Sequence, residues 1–335
     1  MNRPPRLAIS LGDLAGIGTE IIFKSLADEA IRTSITPIIY GSRSFLAPWI
    51  DAQPDALGPV QFIDDSSQIN SGAVHVMECW DEKLDIPAGE PTRESGHYAF
   101  LSLDRATQDL ITGAVDALVT APIDKHNIQS EAFDFPGHTE YLAQRSGNPD
   151  HLMLLVSSGL RVGVVTGHIP VSAISEQLST EKILSKLAVI HSSLQADFGI
   201  EEPRIAVLGL NPHAGDQGLI GTEDDTVVAP AIRQAQSQGI GAEGPFPADG
   251  FFGSKRYEDY DAILAMYHDQ GLIPFKALSF GSGVNFTAGL PILRTSPDHG
   301  TAFDIAGQDQ ADASSFKQAL ILARDIAERR KTLRV

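Results

Sequence analysis

Seven short apolar runs recur along the chain, separated by amphipathic segments of helical length, and this alternation admits few folds. The runs, rich in β-branched residues, are 7–11, 35–40, 117–120, 152–156, 162–165, 205–210 and 262–266. The segments 18–26, 97–111, 139–145, 174–194, 226–236 and 314–329 carry apolar residues at intervals of three and four, as helices with one buried face do. Strands alternating with helices pack as an α/β sheet. No fixed-period repeat, low-complexity tract or long linker interrupts the pattern. At 335 residues the chain is long enough for two lobes, with the boundary at a crossover between them.

The composition narrows the function classes. Hydrophobic residues at 42% and charged residues at 20% are ordinary for a water-soluble globular protein. Neither a signal peptide's apolar core nor an 18-residue membrane span is visible, so a cytoplasmic protein with no membrane partner is expected. The single cysteine, Cys79, rules out an internal disulfide and a cysteine-rich zinc site. Any metal is then held by nitrogen and oxygen. The formal charge of −18, from 43 acidic against 25 basic side chains with no Lys/Arg run, argues against nucleic acid. A small anionic ligand would need a local cluster of cations or helix N-termini.

Ligands of open α/β sheets sit beyond the carboxyl ends of the strands. Three apolar runs deliver an imidazole there: "RVGVVTGH" ends at His168, "RIAVLGLNPH" at His213 and "YDAILAMYH" at His268. Each alone fits a local hydrogen-bonding role. Together they can supply three protein ligands of a catalytic divalent metal, with open positions for substrate or water. In "FPGHTEYLA", His138 and Thr139 stand at the start of a helix, where Thr139 can cap and free N–H groups face an anion. Lys276, Asn285 and Arg294 place two cations and an amide in an otherwise apolar stretch, readable as a phosphate clamp or as ordinary surface charge. A glycine-rich strand-to-helix turn, "LGDLAGIG", is by itself a weak sign of an anion site. The G-x-G-x-x-G match at 239–244 follows a helix and precedes "PFPAD", the wrong context for a dinucleotide fingerprint; it reads as a helix C-cap and connector.

The motifs "GHTE", "TGHIP", "LGLNPHAGD", "AMYHDQGL", "GVNFTAGLP" and "RTSPDHGTAFDIAG" taken together are specific. Through them the chain resembles the 4-hydroxythreonine-4-phosphate dehydrogenase family of pyridoxal 5'-phosphate biosynthesis, from about Leu7 to the C-terminal helix. The family's fold is similar to that of the isocitrate and isopropylmalate dehydrogenases: two-lobed, α/β/α and not a Rossmann fold. The resemblance implies one lobe of residues 1–130 plus 280–335 and a second of 131–279 carrying a dimer interface, with the active site in the cleft between lobes. It implies oxidative decarboxylation of 4-phosphooxy-L-threonine to 3-amino-2-oxopropyl phosphate and CO2. NAD or NADP would take the hydride, and a divalent ion (zinc, magnesium or cobalt) would act as Lewis acid.

By the same resemblance His168, His213 and His268 hold the metal, and His138, Thr139, Asp249, Lys276, Asn285 and Arg294 bind the substrate. Lys125 and Asp249 are the candidates for moving protons. Asp298, His299, Gly300, Thr301 and Ala302 line the nucleotide, and a homodimer shares the active site, His268 reaching a metal held by the partner's His168 and His213. Leu14 stands where the family has proline and Ala121 where glycine is common; neither removes a functional group. Sister dehydrogenases acting on phosphorylated threonate or erythronate, or on a dihydrodiol dicarboxylate, share the three histidines. A metal-dependent phosphatase or hydrolase would also use three imidazoles and a phosphate clamp, and a non-catalytic binder of phosphorylated ligands would need only the clamp. NADH formation separates the dehydrogenases from both.

Overall fold

The computed structural model describes residues 3–148 and 150–333. Among the described residues twelve strands follow in chain order: β1 (Arg6–Ser10), β2 (Thr36–Gly41), β3 (Val60–Ile63), β4 (Val74–Glu78), β5 (Ala117–Thr120), β6 (Leu152–Ser157), β7 (Leu160–Thr166), β8 (Arg204–Leu208), β9 (Gly241–Phe246), β10 (Ala262–Tyr267), β11 (Val284–Ala288) and β12 (Arg294–Pro297). The chain divides into two units, Met1–Gly147 with Pro291–Lys331 and Asn148–Leu290 with Thr332–Val335.

The first unit orders its strands β3-β4-β2-β1-β5-β12, all parallel. β1, β2 and β5 are buried almost without interruption, the pattern of parallel strands covered on both faces rather than half-exposed ones. Helix Arg93–Ile111 packs on these three strands. It starts at a reciprocal cap: Thr92 Oγ1 accepts from the Ser95 amide, and Ser95 Oγ accepts from the Thr92 amide. Its buried Ser102 accepts from the Leu11 amide and donates to the Tyr40 carbonyl, satisfying backbone groups at two strand ends. Ser10 pairs with Tyr40 and with Thr120, so β1, β2 and β5 end level. From β1 the chain moves to one side of the sheet and later returns to lay β5 on the other, which makes the carboxyl ends of β1 and β5 a topological switch point.

The second unit runs β11-β6-β7-β10-β8-β9. β10 lies parallel between β7 and β8, and β6 is antiparallel to both β7 and β11. Its core includes Leu155, Val162, Ala206, Ile263, Phe251 and Phe275, all at most 2% exposed. Burying each large apolar side chain there stabilises by roughly 1.5–3 kcal/mol.

Several expectations need correction. The division falls at 147/148 and 290/291, not at 130/131 and 279/280. Helix His138–Ser146 belongs to the first unit because Tyr141 and Arg145 both donate to Asp104 of helix Arg93–Ile111, at 2.6 and 2.7 Å. β11 belongs to the second because it forms a ladder with β6. Segment 174–194 is two helices, Ile174–Gln177 and Thr180–Ala196, broken where Ser179 caps the second through the Lys182 amide. Residues 239–244 carry a helix-ending Gly239 with φ of 81°, as read, but the connector continues as edge strand β9. Strands β3, β4, β11 and β12 were absent from the apolar pattern, since polar side chains such as Gln61, His75, Asn285 and Arg294 interrupt it.

Candidate active site

In the first unit the polar groups gather past β1, β5 and β12. The turn after β1 requires glycine at position 12: its φ is +69°, and a Cβ would stand 2.2 Å from the Pro122 carbonyl oxygen. The next amide, Asp13 N, donates to that oxygen at 2.9 Å. Asp13 is buried, and desolvation raises its carboxyl above the usual range, while hydrogen bonds to Ser95 and the Ala15 amide act in the opposite sense.

Arg294, the first residue of β12, is 3% exposed. Its Nε and Nη2 both donate to Thr120 Oγ1 at the end of β5, at 3.0 and 2.7 Å. Burial lowers its pKa to about 10, with the Glu140 carboxylate opposing, so it stays cationic near neutral pH. His138 is held well below the ordinary imidazole value, first by burial and then by the charges of Arg294 and Lys125. It is therefore neutral at pH 7. Its Nε2 is shielded from solvent and meets no protein hydrogen-bond partner. A buried polar atom left in this state points to a ligand group that completes it.

His138 opens helix His138–Ser146 behind Gly137, which offers no side-chain cap. Thr139 consequently lies inside the first turn and is not the cap that its sequence position suggested. The first N–H groups remain directed outward beside His138. Lys125 is exposed in the loop after β5. Segment 298–302 follows β12: the Asp298 amide donates to Ser315 Oγ, and the Thr301 carbonyl accepts from the Ile17 amide at 3.0 Å, just ahead of helix Gly18–Leu26. A Cβ at Gly16 would come within 2.9 Å of that carbonyl. Ala302 has φ of 44° and Gly300 is exposed. His299 Nδ1 lies 3.0 Å from the Gly300 carbonyl, so it carries the proton and Nε2 is an acceptor; Nε2 too is buried without a protein partner. That orphaned acceptor fits a ligand bearing an N–H or O–H group, as a nucleotide does.

In the second unit the register sets Thr166 of β7 against Tyr267 of β10, and Thr166 Oγ1 donates to the Met266 carbonyl at 2.8 Å. His168 and His268 therefore leave adjacent strand ends together, with ring centroids 5.4 Å apart. His268 is not a loop residue: it is the first residue of helix His268–Ser279, and its Nδ1 lies 2.7 Å from Asp269 Oδ1. His213 stands past the neighbouring β8, exposed, at φ 54°. Among the described residues no three His, Cys, Asp or Glu side chains are grouped to hold one ion. The donor chemistry suits a borderline divalent metal, and within one chain the rings of His168 and His268 face each other. Lys276 lies exposed in the last turn of helix His268–Ser279, Asn285 is half-buried on β11 opposite Leu155, and Asp249 is exposed in helix Ala248–Gly253. The expected clamp is thus divided, with Arg294 in the first unit and Lys276 and Asn285 in the second.

Asp13, Thr120, Asp224 and Gln270 escaped the sequence reading. The available signal was a polar residue directly at or after the end of an apolar run, visible for Asp13 and Thr120; Asp224 lies inside a helical segment and gave none.

Comparison with known proteins first defines the class. A protein of Bacteroides thetaiotaomicron named 4-hydroxythreonine-4-phosphate dehydrogenase is 46% identical over 327 residues, covering 97% of this chain and 90% of its own. The crystal structure of 4-hydroxythreonine-4-phosphate dehydrogenase from Klebsiella pneumoniae is 38% identical with a TM-score of 0.85, covering 98% of this chain and 99% of that one. A terephthalate 1,2-cis-dihydrodiol dehydrogenase structure from Burkholderia xenovorans is similar at 26% identity and a TM-score of 0.67, covering 96% and 98%. The chain is a dehydrogenase, an oxidoreductase with this two-unit α/β fold. The family model of the pyridoxal phosphate biosynthetic protein PdxA matches residues 33–323, and the chain belongs to that family.

Proposed function

We propose that the chain oxidises and decarboxylates 4-phosphooxy-L-threonine to 3-amino-2-oxopropyl phosphate and CO2, acting in the cytoplasm with NAD or NADP and one divalent ion, zinc, magnesium or cobalt. The observation that carries this reading is the neutral His138, whose orphaned Nε2 lies in the field of the buried Arg294 cation. Such a pair suits a ligand presenting both a hydrogen-bonding group and negative charge. Arg294, Lys276 and Asn285 bind the phosphate, with Thr139 and the open amides of its helix turn contributing donors. Lys125 and Asp249 move protons at the hydroxyl that is oxidised and at the carbon that loses CO2. Asp298, His299, Gly300, Thr301 and Ala302 take the nucleotide, the orphaned His299 Nε2 accepting from it.

His168, His213 and His268 hold the metal. When bound, the ion would supply Lewis-acid polarisation of the oxygen at the reacting carbon and the nucleotide a hydride acceptor. The three donors come from both copies of a homodimer. Exposed apolar side chains support this: Val171 follows His168, Leu219 and Ile220 follow His213, and Ile273 and Phe280 follow His268. Large apolar groups clustered in sequence after each histidine are costly to leave in water, and a second copy covers them symmetrically. Among the described residues no helix is long and apolar enough to cross a membrane.

The test is NADH formation by the purified protein with added divalent metal. Turnover of 4-phosphooxy-L-threonine with CO2 release supports the reading. Preference for phosphorylated threonate or erythronate transfers the chain to a sister activity. Phosphate release without nicotinamide reduction would replace the dehydrogenase mechanism by hydrolysis.

A further inference from the structure

Behind His168, His213 and His268 of the second unit lies a hydrogen-bonded frame. His213, Ala214, Asp216 and Gln217 all hold positive φ, at 54°, 52°, 44° and 55°. Residues with a Cβ rarely adopt this conformation, and a run of them persists only where the surroundings over-determine it. The Asp224 carboxylate, fully buried, anchors the residues that lead into this run, and the Asn211 carbonyl accepts in turn from the Ala214 amide at 3.0 Å. Asp224 Oδ1 accepts from the Leu210 amide at 2.7 Å, and its Oδ2 accepts from the Asn211 amide and from Asn211 Nδ2, each at 3.0 Å. Packing is equally close: a Cβ at Gly209 would stand 2.9 Å from both Asp224 Oδ1 and Ala214.

The frame extends to the other two histidine segments. Asn211 Nδ2 also donates to Glu223 Oε2 at 3.0 Å, and Glu223 Oε1 accepts from Ser175 Oγ at 2.9 Å, in the helix that follows His168. Gln270 donates to the Gly209 carbonyl at 2.6 Å while its Oε1 accepts from the Met266 amide at 2.7 Å, bracketing His268. We propose that Asp224 is a positioning residue that fixes the His213 imidazole for metal ligation, with Asn211, Glu223 and Gln270 tying that loop to the segments of His168 and His268. This rests on the reading of His213 as a metal donor. An open-site ligand on an exposed loop gains affinity when its pose exists before the ion arrives, because the ordering cost has already been met by folding.

Asp224→Asn keeps the volume but sets an NH2 against an N–H donor, and Asn211→Ala removes the side-chain bonds to Asp224 and Glu223 while leaving both backbone amides engaged with Asp224. The experiment titrates Co2+ into the metal-free full-length wild type, His213→Ala, Asp224→Asn and Asn211→Ala, reading affinity and the visible d–d bands, with thermal unfolding in parallel. The expected result is a loss of Co2+ affinity of about tenfold or more for Asp224→Asn, the range seen when groups supporting a ligand are removed. A smaller loss is expected for Asn211→Ala. The d–d bands change in both, and Asn211→Ala still unfolds cooperatively, within a few degrees of the wild type. If His213→Ala binds Co2+ as the wild type does, the metal reading fails. If His213→Ala is weakened while Asp224→Asn retains wild-type affinity and spectrum, the positioning role is overturned. Should Asp224→Asn not fold, unchanged Co2+ binding by Asn211→Ala overturns it.

Discussion

Replacing Thr120 by valine removes one oxygen and leaves the shape of the side chain, which makes it the sharpest probe of the proposed anion site at Arg294. That oxygen accepts from Arg294 Nε at 3.0 Å and from Nη2 at 2.7 Å, and the guanidinium is 3% exposed, so water cannot replace the lost acceptor. A hydrogen bond to a charged group contributes about 1.5–3 kcal/mol, and because one oxygen serves both donors the loss belongs in that range and is not doubled. If half of it appears as misorientation of Arg294, KM for the phosphorylated substrate rises by about threefold to twelvefold, at 1.4 kcal/mol per factor of ten. The remainder lowers folding stability by about 1 kcal/mol, a melting shift of roughly 2–4 °C for a unit of this size. Steady-state kinetics on Thr120→Val and Thr120→Ser, with calorimetry, measure both parts. Serine retains the oxygen and restores KM. Wild-type KM and melting temperature in the valine variant, or equal losses in the serine variant, would show that the contact does not hold Arg294 in place.

The neutral burial of His138 sets a pH dependence. Its folded-state pKa lies well below the ordinary 6.5, so the unfolded chain takes up the proton first; this stability is complete above about pH 6.5 and declines as pH falls, by at most about 1.4 kcal/mol per pH unit. Denaturant titrations of wild type and His138→Gln between pH 7 and 5 should differ in slope by that one proton, and identical slopes would refute the neutral assignment. Mixing inactive His213→Ala and His268→Ala chains should restore roughly half of the wild-type rate per heterodimer, and failure with subunit exchange demonstrated would confine each site to one chain. Mixing His168→Ala with His268→Ala then reports which histidine crosses: recovery means that His268 alone does, whereas silence keeps His168 and His268 on one chain, as their 5.4 Å separation suggests. Gly12→Ala should cost at least about 2 kcal/mol from a strained positive φ and contact with Pro122, and normal melting would show that the turn can relax.

The apolar runs that became β1, β2, β5 to β8 and β10 were legible because strands covered on both faces, the parallel ones and the antiparallel β6 alike, need continuous apolar sequence, and continuity survives without any knowledge of partners. The strand-end histidines were legible for the same reason, since a polar residue closing such a run has one place to go. Strands β11 and β12 were not legible, because Asn285 and Arg294 interrupt their pattern and only pairing with β6 and β5 makes them strands. The lobe boundary depended on Asp104 meeting Tyr141 and Arg145, a contact between helices that local sequence does not encode. Sequence alone determined the α/β class, the family resemblance and the identity of the candidate ligands. Only the tertiary structure decided that His138 is neutral with an orphaned nitrogen, that Arg294 leans on Thr120, and that Asp224 stands behind His213. Each of these is a matter of burial and angle between residues far apart in the chain, set when the strands choose their neighbours.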